Sequence, residues 1–229
     1  MSDLIRDMRI AYRDQEDAFT ENDLVSKDPI AQFQNWFQTA CQSKEIHEPN
    51  AMCLATATKG GRPSARMVLL RGFGKEGFTF YTNYNSRKGQ ELAENPFAAL
   101  TLFWGPLQRS IRIEGAVEKV SEAESAAYFS SRPLGSQIAA TVSRQSHPVS
   151  GREALSERVT NLMKEHEKSG SAVVKPLEWG GYRVIPDTIE FWQGQTTRLH
   201  DRIRFRRTGD KSEFSHDGED GWIYERLQP

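Results

Sequence analysis

Basic and apolar side chains alternate between residues 198 and 207 of this chain. Successive side chains of a strand point to opposite faces, so a strand would bring five basic groups onto one face: Arg198, His200, Arg202, Arg204 and Arg206. The other face would hold β-branched and aromatic residues, which favour a strand over a helix. Like charges repel unless an anion lies against them, and the planar fork of arginine suits phosphate. We therefore predict a strand with an anion-binding face; the alternative is a solvated edge strand whose charges only discourage aggregation.

Short segments with the same period of two recur along the chain, separated by tight turns. Strands are predicted at residues 51–58, 64–73, 78–83, 97–104, 109–120, 179–185, 188–192, 198–207 and 222–227. Helices are predicted at residues 4–12, 29–41, 86–94, 121–129 and 152–168, where caps and apolar spacing fit. Many short antiparallel strands with a few helices predict a mainly β fold of the α+β type. The simplest arrangement is a small closed barrel with the helices packed outside.

Composition narrows the range of functions. The 229 residues fit most simply one domain, or a domain with an extra helical arm, and the net charge of −1 makes the basic strand a local feature. A general nucleic-acid binder usually carries a wider basic field, so no nucleic-acid partner is expected. Cys41 and Cys53 have neither metal-ligand spacing nor a disulfide framework, which fits a reducing compartment. Without a secretory signal or a membrane-length apolar run, we expect a cytoplasmic protein with no membrane partner.

Anion-binding residues form further clusters, whereas motifs for difficult chemistry are lacking. The sequence has no dinucleotide fingerprint, phosphate-binding loop, nucleophile elbow or zinc spacing. Arg66 and Arg71 flank an apolar run, and Arg87 begins a predicted helix whose N-terminus favours phosphate. Arg132 follows another predicted helix. Any one cluster is more often solvated surface, but together they suffice for two phosphorylated ligands. This combination points to a bound organic cofactor that carries the reaction while the protein positions it.

Four segments carry a family resemblance. They are Arg62-Pro63-Ser64-Ala65-Arg66-Met67-Val68-Leu69-Leu70, Asn85-Ser86-Arg87-Lys88-Gly89, Ser131-Arg132-Pro133 within residues 128–137, and Phe191-Trp192-Gln193-Gly194-Gln195 with Arg198-Leu199-His200-Asp201-Arg202. In these segments, and over nearly its whole length, the chain resembles the pyridoxamine/pyridoxine 5′-phosphate oxidase family. The resemblance implies an FMN-binding split β-barrel of Greek-key type. It also implies a homodimer that holds FMN at the subunit interface.

The resemblance assigns roles to individual residues. The implied FMN-binding set is Arg66, Met67, Val68, Leu69, Tyr81, Thr82, Arg87, Lys88, Ser110, Gln145, Ser146, Trp192 and Arg202, with Arg66, Arg87 and Lys88 at the phosphate. The implied substrate-binding set is Arg9, Ile10, Ala11, Tyr12, Arg71, Tyr128, Arg132, Ser136, Arg198, Leu199 and His200. Arg198 and His200 are the expected catalytic residues, and no metal is expected. Arg71 and Ser110 depart from the family pattern, which usually has Lys and Gln there.

The implied function is oxidation of pyridoxine or pyridoxamine 5′-phosphate to pyridoxal 5′-phosphate with FMN and O2. Hydrogen peroxide is released, and ammonia as well when the amine is the substrate. Residues 1–27 would form an arm that closes over the substrate, and residues 28–229 would form the FMN-binding domain. Two alternatives stay open from the residues alone: another split-barrel flavin oxidoreductase, or a non-catalytic carrier of FMN or pyridoxal phosphate. The cluster of Tyr128, Arg132 and Ser136, together with Arg198 and His200, favours the oxidase over the first alternative, because a general flavoprotein needs no second phosphate site.

Overall fold

The computed structural model describes Tyr12, residues 17–207 and residues 209–229. Its helices are α1 Pro29–Gln42, α2 Arg87–Glu94, α3 Glu122–Ser131, α4 Leu134–Val142 and α5 Arg152–Ser169. Its strands are β1 Ala51–Ala57, β2 Pro63–Leu69, β3 Gly72–Gly74, β4 Gly77–Asn83, β5 Phe97–Trp104, β6 Arg109–Lys119, β7 Trp179–Gln193, β8 Asp201–Arg206, β9 His216–Asp217 and β10 Ile223–Arg226. The predicted mainly β class with helices is confirmed. The helix predicted at residues 4–12 lies outside the described residues except for Tyr12.

The strands pair in the order β2-β1-β5-β6-β7-β8-β10-β9, and β4 pairs with both β3 and β7. The long strand β7 is antiparallel to β4 over residues 179–184 and antiparallel to β8 over residues 188–193. The sequence predicted two strands here, separated at Pro186. That prediction is wrong, because the strand continues through Pro186. The fixed φ of proline is compatible with extended backbone, and proline removes only one hydrogen-bond donor from the strand.

The chain forms two compact units. The first unit contains the described residues up to Cys53, together with Ala99–Glu114 and Pro186–Pro229. Its core includes Phe33, Trp36, Trp104, Phe191 and Phe205, all almost fully buried. The second unit contains Leu54–Ala98 and Gly115–Ile185. Its core includes Leu54, Phe78, Phe80, Phe129 and Val184.

Helix α1 shows how local sequence sets an element. Asp28 caps its N-terminus by accepting a hydrogen bond from Ile30 N at 2.9 Å, and Pro29 occupies the first turn, where its missing N–H costs nothing. Phe33 and Trp36 follow at helical spacing and are buried. Trp36 meets Phe191 of β7 edge-on, with ring centroids 5.3 Å apart. Helix α1 therefore closes the core of the first unit.

The basic alternation at residues 198–207 is only partly a strand. Strand β8 begins at Asp201, so Arg198 and His200 precede it, and the prediction that both lie on a strand face is wrong. Arg198 has a left-handed backbone with φ +68°, and its N–H donates to Gln195 O in a turn. A turn residue can continue an alternating pattern in sequence without belonging to the strand.

Within β8 the expected anions are carboxylates of the protein. Arg202 Nε donates to Glu190 Oε1 at 2.7 Å, and Arg206 Nε donates to Glu225 Oε1 at 3.0 Å. Arg204 also pairs with Glu225. The face is therefore an internal salt-bridge surface formed by β7, β8 and β10.

Helix α4 is absent from the sequence predictions. The predicted helix at residues 121–129 is followed by Pro133, a residue that usually ends a helix, but here Pro133 occupies the N-cap position of α4, which starts at the next residue. Proline is compatible with a helix start because its N–H would be unpaired there. None of the helices among the described residues combines the length and apolar character that crossing a membrane requires.

Candidate functional site

A cavity of about 440 Å³ lies in the second unit. It is lined by Met67, Val68, Leu69, Arg71, Tyr81, Thr82, Asn83, Lys88, Tyr128, Arg132, Ala139, Ala140, Ser143, Gln145 and Trp179. Strands β2 and β4 and helices α2, α3 and α4 therefore meet around it. The structure brings together here seven predicted cofactor residues and three predicted substrate residues. Ser136, in the first turn of α4, and Ser146, directly after Gln145, are not among the residues that line it.

Lys88 is the buried cation of this cavity. Ser86 caps α2 and fixes its first turn, which places Lys88 toward β4. Its Nζ donates to Gln145 Oε1 at 2.8 Å and to Thr82 Oγ1 at 3.1 Å. Burial and the nearby charge of Arg66 lower the pKa of Lys88 to about 8. An anion bound here would restore the stability of the ammonium form.

Arg66 and Arg87 share one carboxylate, Glu91, which the sequence predictions missed. Arg66 Nη2 lies 3.3 Å from Glu91 Oε2, and Arg87 Nε donates to Glu91 Oε1 at 2.9 Å. Burial alone would raise the pKa of Glu91, but hydrogen bonds from Ser64, Thr56 and Arg87 and the charge of Arg66 lower it to about 2. The helical i,i+4 spacing from Arg87 was the only signal in the sequence.

An aromatic stack lines the other part of the cavity. The rings of Tyr81 and Tyr128 are 3.9 Å apart, and those of Tyr81 and Trp179 are 5.6 Å apart. The guanidinium carbon of Arg132 lies over Trp179, 4.8 Å from the ring centroid. Its Nη1 is buried and has no hydrogen-bond partner among the described residues, and burial together with Arg71 lowers the pKa of Arg132. A buried donor in this state fits an anionic ligand.

A second cavity, of about 380 Å³, lies in the first unit. It is lined by Thr101, Phe103, Ser110, Arg112, Glu190, Trp192, His200, Arg202 and Pro229. It thus brings together the predicted cofactor residues Ser110, Trp192 and Arg202 with His200. Glu190 holds two of its cations, since Arg112 Nη2 donates to Glu190 Oε2 at 2.6 Å and Arg202 donates to the other oxygen.

His200 is held in one tautomer by the backbone. The N–H of Gln195 donates to His200 Nδ1 at 3.0 Å, so the proton of the neutral ring is on Nε2. Burial and the charge of Arg198 lower the pKa of His200, which keeps the ring neutral near pH 7. Trp192 packs against the same ring with centroids 5.0 Å apart. His200 can therefore donate a hydrogen bond from Nε2 to a ligand.

Tyr12 packs beside these residues. Its ring meets those of His200 and Trp192 edge-on, at 5.6 and 6.0 Å, and the guanidinium carbon of Arg198 lies 5.7 Å from its centroid. Gly194 leaves room for this ring, because a Cβ there would come within 2.6 Å of it. The predicted substrate residues Arg9, Ile10 and Ala11 lie outside the described residues.

Asp201 is a second buried carboxylate that the predictions missed. It accepts hydrogen bonds from Phe19 N at 3.0 Å, Gln195 Nε2 at 2.7 Å and Arg226 Nη1 at 2.9 Å. These bonds tie the segment before α1, the turn that precedes β8, and β10 to one side chain next to His200. Leu199 is exposed.

No group of three or more His, Cys, Asp or Glu side chains that could hold a metal ion occurs in the described part of the chain. The site consists of cations, amides, hydroxyls and aromatic rings. Such groups can bind and orient a phosphorylated, flat ligand, and an organic cofactor would have to supply redox chemistry.

Two family models match the chain. Residues 39–162 match the model described as pyridoxamine 5′-phosphate oxidase. Residues 179–229 match the model described as the pyridoxine 5′-phosphate oxidase C-terminal dimerisation region.

Curated relatives and a solved structure agree with these matches. Pyridoxine/pyridoxamine 5′-phosphate oxidase of Bombyx mori is 54% identical over 100% of this chain and 91% of its own length. Pyridoxine-5′-phosphate oxidase of Bos taurus is 53% identical over 97% of this chain and 86% of its own. PhzG from Burkholderia lata 383, solved with tetrahydrophenazine-1-carboxylic acid, is 32% identical with a TM-score of 0.80, covering 92% of this chain and 97% of its own. This likeness confirms the predicted split-barrel fold, and the chain belongs to the pyridoxamine 5′-phosphate oxidase family.

Proposed function

We propose that this protein oxidises pyridoxine 5′-phosphate and pyridoxamine 5′-phosphate to pyridoxal 5′-phosphate, with FMN as cofactor and O2 as electron acceptor. Hydrogen peroxide is the second product, and the amine also yields ammonia. The names of the silkworm and bovine relatives support this activity, since more than half of the aligned residues are identical. The observation that carries the proposal is the cavity of the second unit, which has two separate cations: the buried Lys88, and Arg132, whose Nη1 is buried.

The residues present fit FMN. Lys88, whose pKa is lowered by burial, and the stacked rings of Tyr81 and Trp179 in the same cavity favour an anionic ligand with a flat ring. Arg66, Arg87 and Lys88 would hold the cofactor phosphate, and the β2 residues Met67–Leu69 with Tyr81, Thr82, Gln145 and Ser146 would contact the rest of the cofactor. Ser110, Trp192 and Arg202 complete the proposed cofactor set. Bound FMN supplies the two-electron acceptor for a hydride from the exocyclic carbon of the substrate.

The remaining roles belong to side chains that bind and orient the substrate. Arg71, Tyr128, Arg132 and Ser136 would meet the substrate phosphate. Arg198 and His200 would hold the pyridine ring, with His200 donating from Nε2 because Nδ1 is occupied by the backbone. This tautomer supports a positioning role for His200 rather than proton abstraction at Nε2. Tyr12, which packs on His200 and Trp192, supports the proposal that residues 1–27 form a lid and residues 28–229 the FMN domain.

We further propose that the protein is a cytoplasmic homodimer. The match of residues 179–229 to a dimerisation region supports the dimer. Phe103 of β5, whose side chain is 62% exposed, and Met67 of β2, at 65%, are apolar groups that a second copy could cover. The free thiols Cys41 and Cys53 support a reducing compartment. Light scattering on purified protein would test the dimer directly.

One experiment tests the activity. Purified protein loaded with FMN is given each substrate in turn in air, and the aldehyde, the peroxide and the oxygen consumed are measured. We expect pyridoxal 5′-phosphate and hydrogen peroxide in equal amounts, and without oxygen no peroxide and at most one aldehyde for each bound FMN. Protein that binds FMN but forms no aldehyde from either substrate would be another flavin oxidoreductase or a carrier, and the proposal would be wrong.

A further inference from the structure

Glu91 has a contact pattern that an ordinary helix salt bridge does not have. Its side chain is 4% exposed, whereas that of Arg87, one turn earlier on α2, is 56% exposed. Besides the two arginines, Glu91 Oε2 accepts hydrogen bonds from Ser64 Oγ at 2.6 Å and from Thr56 Oγ1. The two hydroxyls satisfy the carboxylate from β1 and β2, so it stays fixed whether or not Arg87 is in place.

Each carboxylate oxygen holds a different guanidinium. Oε2 lies against Arg66, whose Nη1 also donates to Leu54 O at 3.3 Å, and Oε1 accepts from Arg87 Nε. The Nη groups of Arg87 have no hydrogen-bond partner among the residues that the structure describes. The contact through Nε therefore orients the fork of Arg87 and leaves its outer donors available.

The net positive charge of Arg66, Arg87 and Lys88 matches the charge of a phosphate monoester only when Glu91 is counted with them. Arg66, Arg87 and Lys88 carry three positive charges, and Glu91 removes one. A phosphate monoester carries about −1.5 to −2 charges at pH 7, which matches the remainder. Without Glu91, Arg66 would keep its hydrogen bonds to Leu54 O, Thr56 and Ser64, but Arg87 would lose its side-chain partner among the described residues and would be repelled by Arg66.

We infer that Glu91 is the positioning residue of the cofactor-phosphate site, acting on the phosphate through Arg66 and Arg87. The inference rests on the proposed function, because it assumes that these cations meet the phosphate of FMN. The competing expectation is simple electrostatics, under which a carboxylate near a bound phosphate weakens binding and its removal strengthens it. The two expectations have opposite signs, so a measurement separates them.

The decisive variant is Glu91→Gln in the full chain. Glutamine keeps the size of the side chain but replaces one acceptor oxygen by an NH2 donor, so it can hold only one of the two arginines. Glu94→Gln is the matched control, since it makes the same change on an exposed position of the same helix. Flavin-free wild type and variants are titrated with FMN and with riboflavin, which lacks the phosphate, and quenching of flavin fluorescence gives each Kd.

We expect Glu91→Gln to weaken FMN about tenfold or more, the size of a lost charge-assisted contact, and to leave riboflavin unchanged. Glu94→Gln should match wild type with both ligands. Unchanged or tighter FMN binding in Glu91→Gln would overturn the inference, and so would equal weakening of both ligands, which would mark a general structural role. A wild type that binds FMN no better than riboflavin would instead contradict the proposed function itself.

A second variant covers the case in which Glu91→Gln does not fold. Glu91→Asp keeps the buried charge but withdraws it from both arginines by one methylene. We expect a loss specific to FMN of about threefold, smaller than in Glu91→Gln because the charge remains. An unchanged ratio of the FMN and riboflavin Kd values in a folded Glu91→Asp protein would overturn the inference.

Discussion

At the scale of single residues, Arg198 combines an unusual backbone with an exposed side chain, for which we propose a role in holding the substrate. Few residues other than glycine adopt φ +68°, so the turn sets the direction in which this side chain leaves the backbone, and its guanidinium carbon lies 5.7 Å from the centroid of the Tyr12 ring. We predict that Arg198→Ala lowers kcat about a hundredfold through lost substrate orientation. FMN retention should change little, because the cofactor phosphate is assigned to the second unit. Flavin absorbance and steady-state kinetics on one preparation measure both. Arg207→Ala is the control, and loss of flavin before loss of rate would contradict the assignment.

Lys88 should make FMN affinity depend on pH, and the sign of that dependence follows from its lowered pKa. Its pKa is lowered to about 8 in the absence of ligand, so the ammonium loses its proton as pH rises through that value. FMN affinity should therefore fall between pH 7 and pH 9, by about tenfold for each pH unit above the pKa. Lys88→Met should bind FMN weakly and with a flat profile over the same range. An unchanged wild-type Kd between pH 7 and pH 9 would show that Lys88 does not titrate at the site.

At the scale of elements, the sequence predicts most helices and strands but misplaces their junctions. Periods of two and the caps at Asp28 and Ser86 are local signals, and those elements are found where they were predicted. Helix α4 was missed because Pro133 is compatible with both the end of one helix and the start of the next. The predicted strand begins too early, at Arg198, because the alternation of basic and apolar residues continues through the turn.

Some residues of the candidate site could be identified from the sequence, and others could not. Motif residues such as Met67, Lys88 and Arg132 could be identified from local sequence, and the structure places them around one cavity. Glu91 and Asp201 could not, because their roles depend on partners far away in sequence. Phe19, for example, lies 182 residues before Asp201, to which it is hydrogen-bonded. Asp201 lies within one of the four family segments, but that segment does not indicate which distant residues its carboxylate holds.

Asp201 should therefore contribute to the stability of the segments that its hydrogen bonds connect. Replacing it by Asn removes one acceptor and its charge while Arg226 and Phe19 N remain in place. We expect Asp201→Asn to lower the free energy of unfolding by about 2–3 kcal/mol, as for a partly buried charge-assisted contact. Urea unfolding measures this change. Asp217→Asn breaks an exposed pair with Lys211 and should leave the free energy unchanged; equal effects of both variants would contradict the anchoring role.

At the scale of the whole molecule, two of the basic clusters are paired with buried carboxylates of the protein. Glu91 accompanies Arg66 and Arg87 in the second unit. Glu190 and Glu225 accompany the arginines of β8 in the first unit. Because these arginines are paired with carboxylates of the protein, a chain with a net charge of −1 can contain several clusters of arginine side chains without a wide basic surface.

The position of Trp179 gives the protein an optical probe of its own cavity. It is the one tryptophan in the sequence of the second unit, and the other four belong to the first. Since its indole lies under Arg132 and in line with Tyr81 and Tyr128, its emission should respond when an anion reaches that guanidinium. Adding inorganic phosphate to flavin-free protein should shift the emission in wild type but not in Trp179→Phe. A shift that persists in Trp179→Phe would place the responding indole in the first unit. Rapid mixing with the same signal would then time the arrival of a phosphate at Arg132.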